Sequence, residues 1–129
     1  FGVVVDTSGS MSAKQIGMAL GSIASYAAAK DVPFVRIIFC DAKATDAGYL
    51  APEDIAGRVK VTGRGGTILQ PGVDCLEQAN DFPKDGPILI ITDGEIENDL
   101  KVRREHAFLL PRGNRLPFRA RGEVFYFRE

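Results

Sequence analysis

Along residues 1–92 the hydrophobic positions switch between two rhythms. Gly2-Val-Val-Val5 is a short, unbroken apolar run ending in Asp6, and it predicts a buried strand. The stretch from Thr7 to Ser12 is small and polar. Ser12 followed by Gln15 has the spacing of a capping box, so a helix is expected to open there. Ile16, Leu20, Ile23 and Ala27 then recur at helical spacing and form one apolar stripe. Gly17, Gly21 and Ser25 keep a second line of that helix small, which predicts a close approach to a sheet. Phe34 to Cys40 reads as the second strand, and Ala44 to Leu50 as a weaker third one at a sheet edge. Pro52 to Val59 suits a short helix, with proline in its first turn and acids near its positive end. Thr62-Gly-Arg-Gly-Gly66 is a glycine-rich loop, and the helical rhythm returns from Ile68 to Asn80 with Val73, Leu76 and Ala79 inward. Pro87 to Thr92 is the most hydrophobic segment, and an unbroken apolar run of that length marks a strand covered on both faces.

Apolar strands separated by helices predict an α/β domain with a mostly parallel sheet wrapped by helices. Sites in such folds gather at the carboxyl ends of strands. After Gly94 the alternation degrades. His106 to Leu110 and Glu123 to Phe127 read as strands, but Pro111 to Gly122 carries no helical pattern. The 129 residues suit a single domain, 1–129, with residues 96–129 as a divergent C-terminal segment. A chain that opens on Phe1 and reaches motif residues by position 6 reads as a domain cut from something longer.

Composition narrows the classes. Forty-five per cent hydrophobic and 26% charged residues describe an ordinary globular protein, and no apolar run approaches the roughly 20 residues of a membrane span. A net charge of −1 argues against nucleic acid as a partner. The charge is segregated, however: residues 101–129 carry eight Lys/Arg against three Glu, a net +5, leaving −6 on residues 1–100. That basic stretch is a solvated edge or a docking surface. Cys40 and Cys75 are the only cysteines, and both lie in apolar patterns, which suggests reduced thiols and a cytoplasmic protein.

Three polar clusters fall where strands end or helices begin: Asp6-Thr-Ser8-Gly-Ser10, Gly65-Gly-Thr67 and Thr92-Asp93-Gly94. In a parallel sheet all three share one edge. Carboxylates and hydroxyls are hard oxygen donors that suit Mg2+, Mn2+ or Ca2+ and not zinc. So few full charges leave a cation partly hydrated, with coordination to spare.

In order, spacing and context, Asp6-x-Ser8-x-Ser10, Thr67 and Asp93 resemble the metal-ion-dependent adhesion site of the von Willebrand factor A family. The surrounding Val-Val-Asp-Thr-Ser-Gly-Ser-Met, Gly-Gly-Thr-Ile-Leu and Ile-Ile-Thr-Asp-Gly are similar too, over residues 1 to about 95. The resemblance implies a Rossmann-like three-layer α/β/α fold with a shortened or divergent C-terminal end. It implies Mg2+ (or Mn2+ or Ca2+) bound directly by Ser8, Ser10 and often Thr67, with Asp6 and Asp93 acting mainly through water. It also implies a protein partner that supplies a Glu or Asp carboxylate to the ion, and adhesion or assembly in place of catalysis.

Rival chemistries fit less well. A magnesium-dependent phosphohydrolase of the haloacid dehalogenase type needs a second acid two residues after the first, where this chain has Ser8, a poor proton donor near neutral pH. Gly63-Arg-Gly-Gly-Thr67 lacks the lysine of a phosphate-binding loop. Gly-x-Ser-x-Gly is absent, and the lone His106 suits a packed or solvated position better than a base. A metal-free scaffold is the remaining alternative, against which the five intact positions weigh.

Overall fold

The computed structural model describes residues 1–8, 11–41, 43–55 and 68–128. In chain order the elements are β1 (Gly2–Asp6), α1 (Ala13–Ala29), β2 (Val35–Cys40), β3 (Ala44–Leu50) and α2 (Pro52–Ile55). They continue with α3 (Gln70–Gln78), β4 (Ile88–Ile91), β5 (His106–Pro111) and β6 (Glu123–Phe127). The strands form one sheet in the order β3-β2-β1-β4-β5-β6. All neighbours are parallel except β2 and β3, so the weak third strand is an antiparallel edge. The expected mostly parallel α/β architecture is the one observed.

The unbroken runs are central because both faces of the sheet are covered there. β1 and β2 are buried along their whole length, and Val4 lies between Ile38 of β2 and Ile90 of β4. Alternation sends Val3, Val5, Ile37 and Phe39 to one face, where they pack with Ile16, Ala19, Leu20, Ile23 and Ala27 of α1 and Ile55 of α2. Val4, Ile38, Cys40 and Ile90 go to the other face, against Val73 and Leu76 of α3. Each buried aliphatic side chain contributes roughly 1.5–3 kcal/mol. The predicted capping box opens α1: Ser12 Oγ accepts from Gln15 N at 3.0 Å, and Gln15 Oε1 accepts from Ser12 N at 3.0 Å.

One packing expectation is corrected. The line Gly17, Gly21 and Ser25 does not mediate a close approach: Ser25 is exposed, and a Cβ on Gly21 would meet nothing. That line lies one residue round the helix from the Ile16 stripe, and the stripe, with Ala19 and Ala27, takes the sheet-facing side. The tight contact is made by Gly72 of α3, where a Cβ would come within 2.8 Å of Val4 Cγ1. One boundary also differs: α3 runs from Gln70 to Gln78 inside the predicted 68–80. Of the predicted 52–59 helix, Pro52–Ile55 is observed as α2, and residues 56–59, with the predicted loop at 62–66, lie outside the described residues.

The connections β4–β5 (residues 92–105) and β5–β6 (residues 112–122) contain no helix, as the lost periodicity anticipated. They lie over the α3 face, contributing Ile96, Leu100, Val102, Leu116, Phe118 and Ala120 to its apolar cluster. An irregular segment covering a sheet must satisfy its own backbone polar groups. Side chains do this here. The Gln70 amide donates to Lys101 O at 2.9 Å and accepts from Lys101 N at 2.8 Å, in the manner of a backbone bridge. Glu77 Oε2 accepts from Arg103 N at 2.8 Å, and the Arg104 guanidinium donates to the carbonyls of Pro83, Gly86 and Glu77.

Candidate functional site

Strand order reverses direction of growth between β1 and β4: the chain builds outward from β1 to β3 on one side and from β4 to β6 on the other. Connections leave the sheet in opposite directions at such a point, and a crevice opens beyond the carboxyl ends of the two strands. Asp6 is the last residue of β1, and Asp93 follows β4 by two positions. The first and third polar clusters therefore flank one crevice.

Asp6 is fully buried, and Ser8 and Asp93 are 1% and 4% exposed. Asp6 Oδ1 accepts from the Ser8 backbone N–H at 2.8 Å, which folds the turn after β1 back on its own strand. Asp6 Oδ2 accepts from the Thr92 hydroxyl at 2.7 Å, a contact between residues 86 positions apart. Burial holds the Asp6 carboxyl above its ordinary range. The hydroxyl and N–H of Ser8 and the hydroxyl of Thr92 work against that shift, and the charge of Asp93 adds to it. Asp93 Oδ1 accepts from Glu95 N at 3.0 Å, an Asx-type turn that orients its carboxylate.

The donor set suits a hard cation. All its atoms are oxygens, the donors such an ion prefers. Two like charges share a low-dielectric crevice, a situation a divalent ion relieves. Among the described residues no group of three or more His, Cys, Asp or Glu gathers as a metal cluster. Two carboxylates plus hydroxyls would not make such a group. Ser10 and Thr67, the other two predicted ligands, lie outside the described residues. Their neighbours approach the same edge of the sheet: Met11 N donates to Ser8 O at 3.0 Å, and Ile68 N donates to Asp41 O, just past β2, at 3.0 Å.

Four supporting residues escaped the sequence reading. Thr92 was visible only as part of a polar turn, yet its hydroxyl bridges Asp6 and the Gly94 N–H, which it accepts at 3.1 Å. Gly94 has φ +91°, and a Cβ there would sit 1.8 Å from the Arg115 carbonyl oxygen. Asn114 donates from Nδ2 to Asp93 O at 2.9 Å, so the β5–β6 connection clamps the Thr-Asp-Gly turn. Glu97 accepts from Leu69 N at 2.9 Å and Gln70 N at 3.0 Å, capping α3 from 27 positions away. A Thr-Asp-Gly triplet hints at the first two. No local signal marks Asn114 or Glu97, because each acts on a segment distant in sequence.

Cys40 packs at the same end of the sheet, with its thiol against Ile68 O at 3.3 Å; burial pushes its pKa up to about 11. Cys75 is half-buried, and both thiols are free. No helix among the described residues is long and apolar enough to cross a membrane.

Comparison with known proteins adds three findings. Residues 1–104 match the family model described as VWA-like domain (DUF2201). Two structures of proximal thread matrix protein 1 from the mussel byssus are similar, with TM-scores of 0.67 and 0.64, each at 16% identity. They cover 97% and 98% of this chain, which in turn spans 40% of theirs, and the likeness at that identity is one of fold. No curated protein matches the chain.

Proposed function

This chain belongs to the VWA-like domain family, and from that premise we propose that it is a non-catalytic, divalent-cation-dependent module that binds a protein partner through an acidic residue. Asp6, Ser8, Ser10, Thr67 and Asp93 would hold the ion, magnesium by preference and manganese or calcium as alternatives. The observation that carries this is the meeting of Asp6 with the Thr92-Asp93 turn in the crevice between β1 and β4. A bound magnesium ion supplies an electrophilic position for an incoming anion.

The chain's own residues prepare that position. Asp6 is aimed by the Ser8 N–H and the Thr92 hydroxyl. Neutral hydroxyls at Ser8, Ser10 and Thr67 leave the cation's charge incompletely offset, so a Glu or Asp carboxylate of the partner gains a charge-assisted contact. The position two residues after Asp6, where a phosphohydrolase of the haloacid dehalogenase type carries its general acid, is Ser8, which favours binding over hydrolysis.

Calorimetry of chelator-stripped protein with Mg2+ or Mn2+ tests the site. One binding event is expected, lost in Asp6→Ala and in Ser10→Ala. Undiminished binding in both variants would overturn the proposal. Partner capture should require magnesium, fail with chelator and fail in Thr67→Ala; equal capture under all of these conditions would put the interaction elsewhere on the surface.

A further inference from the structure

The two helix-free connections run side by side over the α3 face, and both repeat one local pattern. In Lys101-Val-Arg103 the central Val102 packs into the core and the flanking cations stay exposed; in Arg119-Ala-Arg121, Ala120 packs inward and its flanking cations stay exposed. In each triplet the middle side chain faces inward and its two neighbours outward. The result is a cleft of about 510 Å3 lined by Lys101, Arg103, Arg119 and Arg121, with aromatic walls from His106 and Phe118.

No carboxylate lines this cleft. Among the described residues these four side chains make no ion pair or side-chain hydrogen bond, whereas Arg36 is paired with both Asp46 and Asp81. Lys101 and Arg103 also border a neighbouring cleft with Asp74, Glu77, Glu97 and Asp99, and Arg121 borders another with Glu105 and Glu123. Their charge is therefore offset only from outside this cleft, and an anion entering it meets cations alone. The walls are specific as well. Phe108 packs edge to face with both His106, at 5.5 Å, and Phe118, at 5.7 Å, so the cleft that the cations line also has a packed aromatic wall. The His106 Nδ1 proton goes to the Arg104 carbonyl at 2.8 Å, which fixes the ring.

We propose that this cleft binds a polyphosphate group, such as the triphosphate of a nucleotide. Guanidinium forks match phosphate oxygens, and a chain of linked phosphates spreads charge over several cations at once. The cleft's volume lies in the range of small-molecule sites. An aromatic wall beside the cations suits the base of a nucleotide. The site is separate from the Asp6–Asp93 crevice. His106 opens β5 level with Ile88, at the amino end of the parallel strands, whereas Asp6 and Asp93 lie beyond their carboxyl ends.

The test is titration of the whole chain with inorganic tripolyphosphate and with a nucleoside triphosphate, in chelator and without magnesium, so that the crevice between β1 and β4 makes no contribution. Saturable binding of both is expected, weakened at least tenfold by Arg119→Glu with Arg121→Glu. Lys14→Glu, an exposed charge reversal on α1, should change it less than twofold. Tighter binding of the nucleotide, with the difference removed by Phe118→Leu, would assign the base to the aromatic wall; equal binding would assign the phosphates alone, and both support the proposal. Absence of saturable binding, an equal loss in Lys14→Glu, equal binding of sulfate at matched ionic strength, or tighter binding of an oligoglutamate or a single-stranded oligonucleotide would each overturn it.

Discussion

α1 and α3 begin in the same kind of need and meet it in different ways. Each helix start leaves backbone N–H groups without intrahelical partners. At α1 the remedy is local: Ser12 and Gln15, three residues apart, satisfy each other's N–H groups. At α3 it comes from Glu97 in the β4–β5 connection, whose two carboxylate oxygens take Leu69 N and Gln70 N. The first arrangement stabilises one helix. The second ties a helix to the segment that replaces a helix, and beyond it to the Thr-Asp-Gly turn that carries Asp93. Half of this sheet is thus covered by amphipathic helices packing through apolar stripes, and the other half by irregular chain held through polar contacts to α3.

The junction between those halves is where a single substitution should do most harm. Gly94 combines φ +91° with the Arg115 carbonyl 1.8 Å from where a Cβ would be. Gly94→Ala strains the turn and must push the β5–β6 connection away, a loss expected at about 3 kcal/mol or more. Urea unfolding measures it. A loss under about 1 kcal/mol would mean that the connection yields freely and that the two halves are not coupled through this turn.

The caps give the next largest effect and the most direct contrast. Ser12→Ala should cost about 1 kcal/mol, and faster hydrogen exchange should be confined to the first turn of α1. Glu97→Ala leaves two N–H groups to water and should cost about 1–2 kcal/mol, with faster exchange both at the start of α3 and along residues 95–104. If exchange after Glu97→Ala rises only in α3, the carboxylate is a helix cap and nothing more.

These contrasts also mark what the sequence makes legible. The capping box, the Ile16-Leu20-Ile23-Ala27 stripe and the unbroken strands are read correctly because cause and effect lie within a few residues of each other. The edge position of β3 and the helix-free stretch after Gly94 are visible for the same reason. The role of Gly17 and Gly21 was misjudged because small residues are compatible with close packing without causing it. Which side of α1 meets the sheet depends on the whole apolar stripe. Asp6, Ser8 and Asp93 are recognisable as candidates from their motif. The latch by Glu97, the clamp by Asn114 and the cleft between 101–103 and 119–121 depend on segments that meet only after folding, and no periodicity announces them.

The smallest effect expected is also the one whose sign separates site from scaffold. Asp6 is a fully buried carboxylate held by the Ser8 N–H and the Thr92 hydroxyl, at the seam between the two halves. Burial raises its pKa above the ordinary 3.8. As pH rises, the unfolded chain therefore releases this proton before the folded protein does, so folding stability falls between 3.8 and the higher folded value and stays lower above it. Asn at this position keeps a similar shape without the charge, and its oxygen accepts from the Ser8 N–H. In chelator at neutral pH, Asp6→Asn should be slightly more stable than the parent, and the gap should close below pH 3.8, where both forms are neutral. In saturating magnesium the order should reverse, because the parent gains binding energy that the variant cannot. Urea midpoints at both pH values, with and without the ion, decide this. If Asp6→Asn is instead the less stable protein in chelator, the hydrogen bonds to Asp6 outweigh its burial, and the carboxylate belongs to the scaffold as much as to the site.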